Sequence, residues 1–211
     1  MDMDKVAKLK ALEAKIRANT SLPLTESNLV FGEGNVDCSV LFIGEAPGAT
    51  EDKLGRPFVG RAGKLLDQLI GEIGWKREDV YISNIVKRRP PENRDPLPEE
   101  IEAYKPFLAE QIEILNPKVI APLGRFSMNY FLPFAKISHD QGKIFHVDGR
   151  IIYPLFHPAA ALRNPTFLAG LREAFKGLPA AIMEKPHETV VGSTPPAFQK
   201  KNGEPPQESF F

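Results

Sequence analysis

Residues 39–52 read SVLFIGEAPGATED, and this stretch decides the fold. Ser39-Val40-Leu41-Phe42-Ile43 is a short apolar run ending at a glycine, the pattern of a strand buried on both faces. The turn GEAPG leads through GRPFVG (55–60) into a helix marked by Leu65, Leu66, Leu69, Ile70 and Ile73, which Gly74 terminates. Val80–Val86 and Val119–Leu123 are further strand-like runs, and between them RRPPENRDP runs into a helix from Pro98 to about Leu115. Lys143–Val147 and Arg150–Phe156 flank Asp148-Gly149, a strong hairpin signal. Asn164-Pro165 reads as an N-cap and first helical position, opening a helix to about Met183. Upstream, Val6, Leu9, Leu12 and Ile16 share one face of an amphipathic helix over residues 3–18. Strands alternating with helices predict the α/β class, with a mostly parallel sheet covered on both faces.

Composition narrows the function. The chain has 211 residues, 42% of them hydrophobic, enough for one compact domain with a real core. Its 27 basic and 27 acidic side chains cancel, which argues against a non-specific nucleic-acid coat but allows a local basic groove. The single cysteine, Cys38, excludes a disulfide framework and a CxxC metal site, and the four histidines lack zinc-hydrolase spacing. No apolar run reaches the ~20 residues of a membrane span. A soluble intracellular protein, cytoplasmic and without a membrane partner, is the expectation. From about Lys185 the sequence turns proline-rich and polar without periodicity. Residues 1–184 are therefore expected to form the domain and 185–211 a flexible tail.

In open α/β sheets, ligands bind beyond the carboxyl ends of the strands. There the sequence supplies Glu45, Asn84 and His157 beside a glycine-rich loop. A carboxylate, an amide and an imidazole around a tight turn suit a small-molecule or base pocket. Taken singly, Asn84 reads equally as a turn residue, His157 as a core histidine and Phe58 as core packing. GEAPG lacks the Lys-Ser/Thr of a nucleotide phosphate loop.

VFGEGN (30–35), GEAPGATEDKLGRPFVGRAGKLLD (44–67), YISNIVKRRPPENRDPLPEE (81–100) and FHPAAALR (156–163) resemble the type-4 uracil-DNA glycosylases in order and spacing. The match spans about residues 1–183. This resemblance implies a three-layer α/β/α fold around a central, mostly parallel four-stranded sheet, and excision of uracil from DNA by a monomer. It implies that Phe58 stacks on the flipped base, that Asn84 reads its Watson–Crick edge, and that Ala46 contacts it. His157 would face the uracil carbonyl that gains negative charge. Glu45 and Glu51 would serve the base and the water, their division of labour being open. The alternative is a degenerate module that binds uracil-containing or abasic DNA without cutting it. Leu162 and Arg163 are candidates for wedging into the vacated duplex, or Leu162 for packing beneath its loop. Lys87-Arg88-Arg89 is a candidate phosphate contact or a merely solvated triplet.

Type-4 members typically hold an iron–sulfur cluster with four cysteines. Aligned with those positions stand Asn19, Leu22, Tyr104 and a residue near Ala121. A chain with one thiol has no four-thiolate ligation, so the expectation is a variant without cluster or metal, the volume filled by Leu22, Tyr104 and their neighbours. The chain ends Gln207-Glu208-Ser209-Phe210-Phe211. This resembles the short peptides by which bacterial DNA-repair proteins bind the sliding clamp, with Phe210 and Phe211 as apolar anchors and Gln207 at the rim. An ordinary disordered end is the alternative.

Overall fold

The computed structural model describes residues 2–184, in which α1 (Met3–Ala18) precedes β1 (Glu33–Gly34) and β2 (Val40–Gly44). There follow α2 (Ala49–Leu54), α3 (Arg61–Glu72), β3 (Tyr81–Asn84), α4 (Pro98–Leu115) and β4 (Val119–Pro122). The chain continues through α5 (Arg125–Phe131), α6 (Ile137–Asp140), β5 (Phe145–Val147), β6 (Arg150–Ile152), α7 (Pro158–Ala161) and α8 (Pro165–Met183). Among the described residues the strands form one sheet, ordered β1-β3-β2-β4-β6-β5. Its four central strands are parallel, as the expected four-stranded sheet requires, and two short antiparallel strands, β1 and β5, extend its edges. The chain builds β3 on one side of β2, then crosses to build β4 and β6 on the other, so the winding reverses at β2.

Strands β2, β3 and β4 are buried along their whole length, because helices cover both faces. Leu41 and Ile43 pack with Leu9, Leu12 and Ile16 of α1 and with Tyr104, Leu108 and Ile112 of α4. Val40 and Phe42 turn the other way, toward Leu66, Leu69 and Ile70 of α3 and Leu171, Phe175 and Leu178 of α8. This period of two sorts one apolar run into two cores. Phe42 and Phe175 stack with ring centroids 5.7 Å apart.

The helix boundaries follow local chemistry. Asn164 accepts hydrogen bonds from the backbone N–H groups of Thr166 and Phe167, and Pro165 occupies the first turn, so α8 starts where its cap stands. Gly74 adopts φ 80°, letting Trp75 N–H reach the Ile70 carbonyl and close α3. Asp148 and Gly149 both take positive φ, 48° and 72°, and turn β5 into β6. The hairpin strands are shorter than expected. Beyond Ile152 the chain leaves its antiparallel partner, and Leu155 bridges Leu123 in parallel instead.

Candidate active site

A cavity of about 330 Å³ opens at the carboxyl rim of the sheet, where the winding reverses. Glu45, Ala46, Glu51, Phe58, Asn84, His157 and Arg163 line it, so one space collects the expected pocket residues from four separate segments. Asn93 and Arg94, which sequence reading did not single out, complete the wall.

Asn84 ends β3 opposite Gly44 of β2. Its side chain is buried, and Oδ1 has no hydrogen-bond partner among the described residues. An unpaired buried acceptor costs about 1–3 kcal/mol, a cost that a ligand N–H removes. Gly44 makes this placement possible: a Cβ there would press on Asn84 Oδ1 and lie 2.5 Å from the Phe58 ring.

Phe58 is buried in the left-handed region at φ 49°, a conformation that costs a non-glycine residue about 1–3 kcal/mol and persists only when its surroundings dictate it. They do. Arg77 donates to the Phe58 carbonyl at 3.1 Å and to the Pro57 carbonyl at 2.6 Å, and is itself held by Glu33 and Asp67. Glu51 Oε1 accepts from Val59 N–H at 3.0 Å and from Gly60 N–H at 2.7 Å, at the start of α3. A Cβ at Gly63 would collide with the Phe58 carbonyl. One oxygen of Glu51 is thus committed to the loop that shapes the pocket.

His157 stands before α7, and its Nδ1 accepts the Ala159 N–H at 3.1 Å. An accepting Nδ1 carries no proton, so the neutral ring keeps its hydrogen on Nε2 and acts there as a donor. Burial, helped by the nearby charge of Arg163 and opposed by Glu51, lowers the imidazole to about 4. The ring lies 5.8 Å from that of Phe58, centroid to centroid. Gly124, at φ 89°, passes so close that a Cβ would come within 3.0 Å of the His157 Cβ.

Glu45 follows β2 directly and is partly buried. Burial, with the charge of Asp95 and against that of Arg125, raises its carboxyl to about 7. The two glutamates are therefore distinct in setting: Glu51 clamps a loop, and Glu45 is a carboxylate whose ionisation lies near neutrality.

The basic triplet is not a surface patch. Lys87 is fully buried and Arg88 nearly so, which corrects the expectation that they touch phosphates. Lys87 bonds Ser83, Asn84 and Gln111, and Arg88 donates to the Ser27 carbonyl. Arg89 is partly exposed and donates to Asn93 Oδ1 at 2.7 Å. Leu162 is 42% exposed at the end of α7 and Arg163 is exposed beside it, at the cavity mouth.

Leu22 and Tyr104 are buried in one core, and the Tyr104 hydroxyl donates to the Pro23 carbonyl at 2.9 Å. Ala121 does not join them. It packs with α3 and α8 on the opposite face of the sheet, while its neighbour Ile120 shares the core of Leu22 and Tyr104. The charge of Arg88 also acts on the Tyr104 hydroxyl, which burial pushes up to about 12. Cys38 is buried in the same core, its thiol pushed up to about 11 by burial. Gln207, Phe210 and Phe211 lie outside the described residues.

Residues 31–178 match the model of the uracil DNA glycosylase superfamily. The chain is 47% identical over 161 residues to the Type-4 uracil-DNA glycosylase of Thermotoga maritima, covering 74% of this chain and 84% of that one. It is 48% identical over 162 residues to the Type-4 uracil-DNA glycosylase of Sulfurisphaera tokodaii, covering 71% and 73%. A DNA polymerase of Bacillus phage SP01 is 33% identical over 137 residues, which are 64% of this chain and 15% of the polymerase. With this match and a pocket assembled at the sheet rim, the chain belongs to the uracil-DNA glycosylase superfamily.

Proposed function

We propose that this protein is a monofunctional uracil-DNA glycosylase, hydrolysing the bond between uracil and deoxyribose to leave an abasic site. The observation that carries the reading is the unpartnered, buried Asn84 Oδ1 facing a cavity that also holds the neutral, donating His157. A base must leave the stack to be cut, and is then read by one edge and one face. Phe58 supplies the face. Asn84 Oδ1 accepts the N3–H of uracil; cytosine presents an unprotonated N3 there, so acceptor meets acceptor and the base is refused. As the C1′–N1 bond breaks, its electron pair leaves with uracil, and His157 Nε2–H donates to the oxygen that gains charge. Water adds to C1′ and yields its proton to the Glu45 carboxylate. Leu162 enters the gap in the duplex while Arg163 and Arg89 meet phosphates.

The chemistry needs no iron–sulfur cluster. One cysteine, buried with a raised thiol, does not fit a four-thiolate site, and Tyr104 and Leu22, at two of the implied ligand positions, pack in one core. The protein acts as a monomer in the cytoplasm, with residues 185–211 as a tether to the sliding clamp. The stretch of a phage DNA polymerase similar to this chain supports a link with replication.

A labelled oligonucleotide containing one uracil, incubated with the protein and then treated with alkali, is expected to break at that position. An intact strand at stoichiometric enzyme retires the reading.

A further inference from the structure

Beneath the base-reading strand lies a buried polar knot that the steps above leave unused. The Lys87 ammonium donates to Ser83 Oγ at 2.6 Å, to Gln111 Oε1 at 2.6 Å and to the Asn84 backbone carbonyl at 2.9 Å. Three acceptors occupy all three hydrogens of an ammonium; a neutral amine, with two, would leave one acceptor facing a lone pair. The knot is closed around it. Ser83 Oγ and the Gln111 amide both donate to the Phe31 carbonyl, at 3.0 and 3.2 Å. All three acceptors of Lys87 are neutral oxygens, and among the described residues it makes no ion pair. A buried charge usually comes with a counter-charge, because desolvation alone is costly, and burial does pull this ammonium down to about 7. A glutamate at 111 would have supplied the partner at the same distance; the chain has the amide.

Excision itself creates the missing anion. The electron pair of the C1′–N1 bond ends on uracil, in a cavity walled by the residue whose carbonyl Lys87 holds. We propose that Lys87 is a positioning residue for the excision step, fixing Asn84 through its carbonyl and setting an uncompensated positive charge behind the base-reading amide, where it favours the charge on departing uracil. The role rests on the reading that Asn84 faces the base. Lys87 neither gains nor loses a proton in the step; the attacking water bonds C1′ and its proton goes to Glu45. Such a fixed charge acts in a medium of effective dielectric about 20 rather than 80, and needs no reorganisation as the bond breaks.

The test compares uracil with 5-fluorouracil, a better leaving group because fluorine stabilises the same anion, in single turnovers at saturating enzyme. Lys87→Met removes the charge at similar length. Gln111→Glu keeps the lysine and neutralises it with a nearly isosteric carboxylate. Both variants are expected to slow uracil release by about tenfold or more, and 5-fluorouracil release several-fold less. Equal slowing of the two bases, or uracil release by Gln111→Glu within about twofold of wild type, overturns the role. Should Lys87→Met fail to fold by circular dichroism, Gln111→Glu decides alone. Wild-type protein that released neither base would overturn the glycosylase reading and this role with it. Normal wild-type release with an unchanged ratio in the variants overturns only the role of Lys87.

Discussion

Gly44 and Asn84 are register partners at the paired ends of β2 and β3, and the gap between them is too narrow for a methyl group. Asn84 Oδ1 and the Phe58 ring both lean over the glycine. Gly44→Ala therefore displaces the amide, the ring or both. A misplacement of about 1 Å costs roughly 10²-fold in rate, and overpacking costs about 1–3 kcal/mol of stability. Single-turnover excision and urea unfolding check the two; a variant that cuts at the wild-type rate shows that neither side chain needs its present place.

His157→Ala is expected to slow single-turnover excision by about two to three orders of magnitude, the scale of losing one preorganised donor. Because burial holds the imidazole near 4, the ring stays neutral through the physiological range. The wild-type rate should accordingly show no step from this histidine between pH 5 and 8. A mutant within a few-fold of wild type would leave His157 a purely structural role.

Glu45 is expected to supply the pH dependence instead. Its carboxyl is raised to about 7, so kcat/KM of the free enzyme should fall about tenfold per pH unit below that value. Stability runs the other way. A raised carboxyl binds its proton more tightly in the folded chain, so its contribution is full below the ordinary carboxylate range and is lost as pH rises through about 7. Glu45→Gln should abolish the rate step and flatten this part of the stability profile, measured by pH-dependent excision and denaturant titration.

Purified protein should be colourless, with no absorption near ~400 nm and no stoichiometric iron by elemental analysis. Tyr104→Phe, which removes the hydrogen bond to the Pro23 carbonyl, should cost about 1 kcal/mol in urea unfolding while excision continues. Iron at one cluster per chain contradicts the first expectation.

A labelled peptide of residues 200–211, titrated against the sliding clamp of the same organism, should bind in the micromolar range. Replacing Phe210 and Phe211 by alanine should abolish this. No binding at ~100 µM, or binding indifferent to both rings, removes the tether.

Much of the fold was legible because apolar period and cap chemistry agree locally. Helix α4 runs from Pro98 to Leu115 and α8 from Pro165 to Met183, as read. Glu45, Asn84 and His157 were legible as a group because each stands at a strand end, and strand ends of a parallel sheet share one rim, whereas Phe58 reads as core packing until the family resemblance is drawn. Lys87 was misread for a physical reason: charge in a sequence implies water, and nothing in KRR announces that Ser83, Asn84 and Gln111 wait with three oxygens inside. The part played by Glu51 was open in the sequence, since a carboxylate that ties Val59 and Gly60 looks like any other until the loop closes on it. Edge strand β1 has only two residues, Glu33 and Gly34, too few for a period. Asn93 was overlooked because its left-handed backbone, at φ 56°, follows from loop closure and not from a pattern.

The left-handed Phe58, locked by Arg77, Glu51 and Gly63, bears on how the enzyme searches a genome. Nearly every base it samples is the wrong one, and time spent on each is time lost. A wall that must first close around its guest lets a wrong base linger while the closure is attempted. Here the strain of the wall is already met by contacts within the fold, so on the proposed reading a mismatched base is expected to find no induced fit to await and to return to the helix. Rigidity at this one residue is expected to make rejection quick, which for an enzyme that must find a rare base matters as much as the speed of the cut.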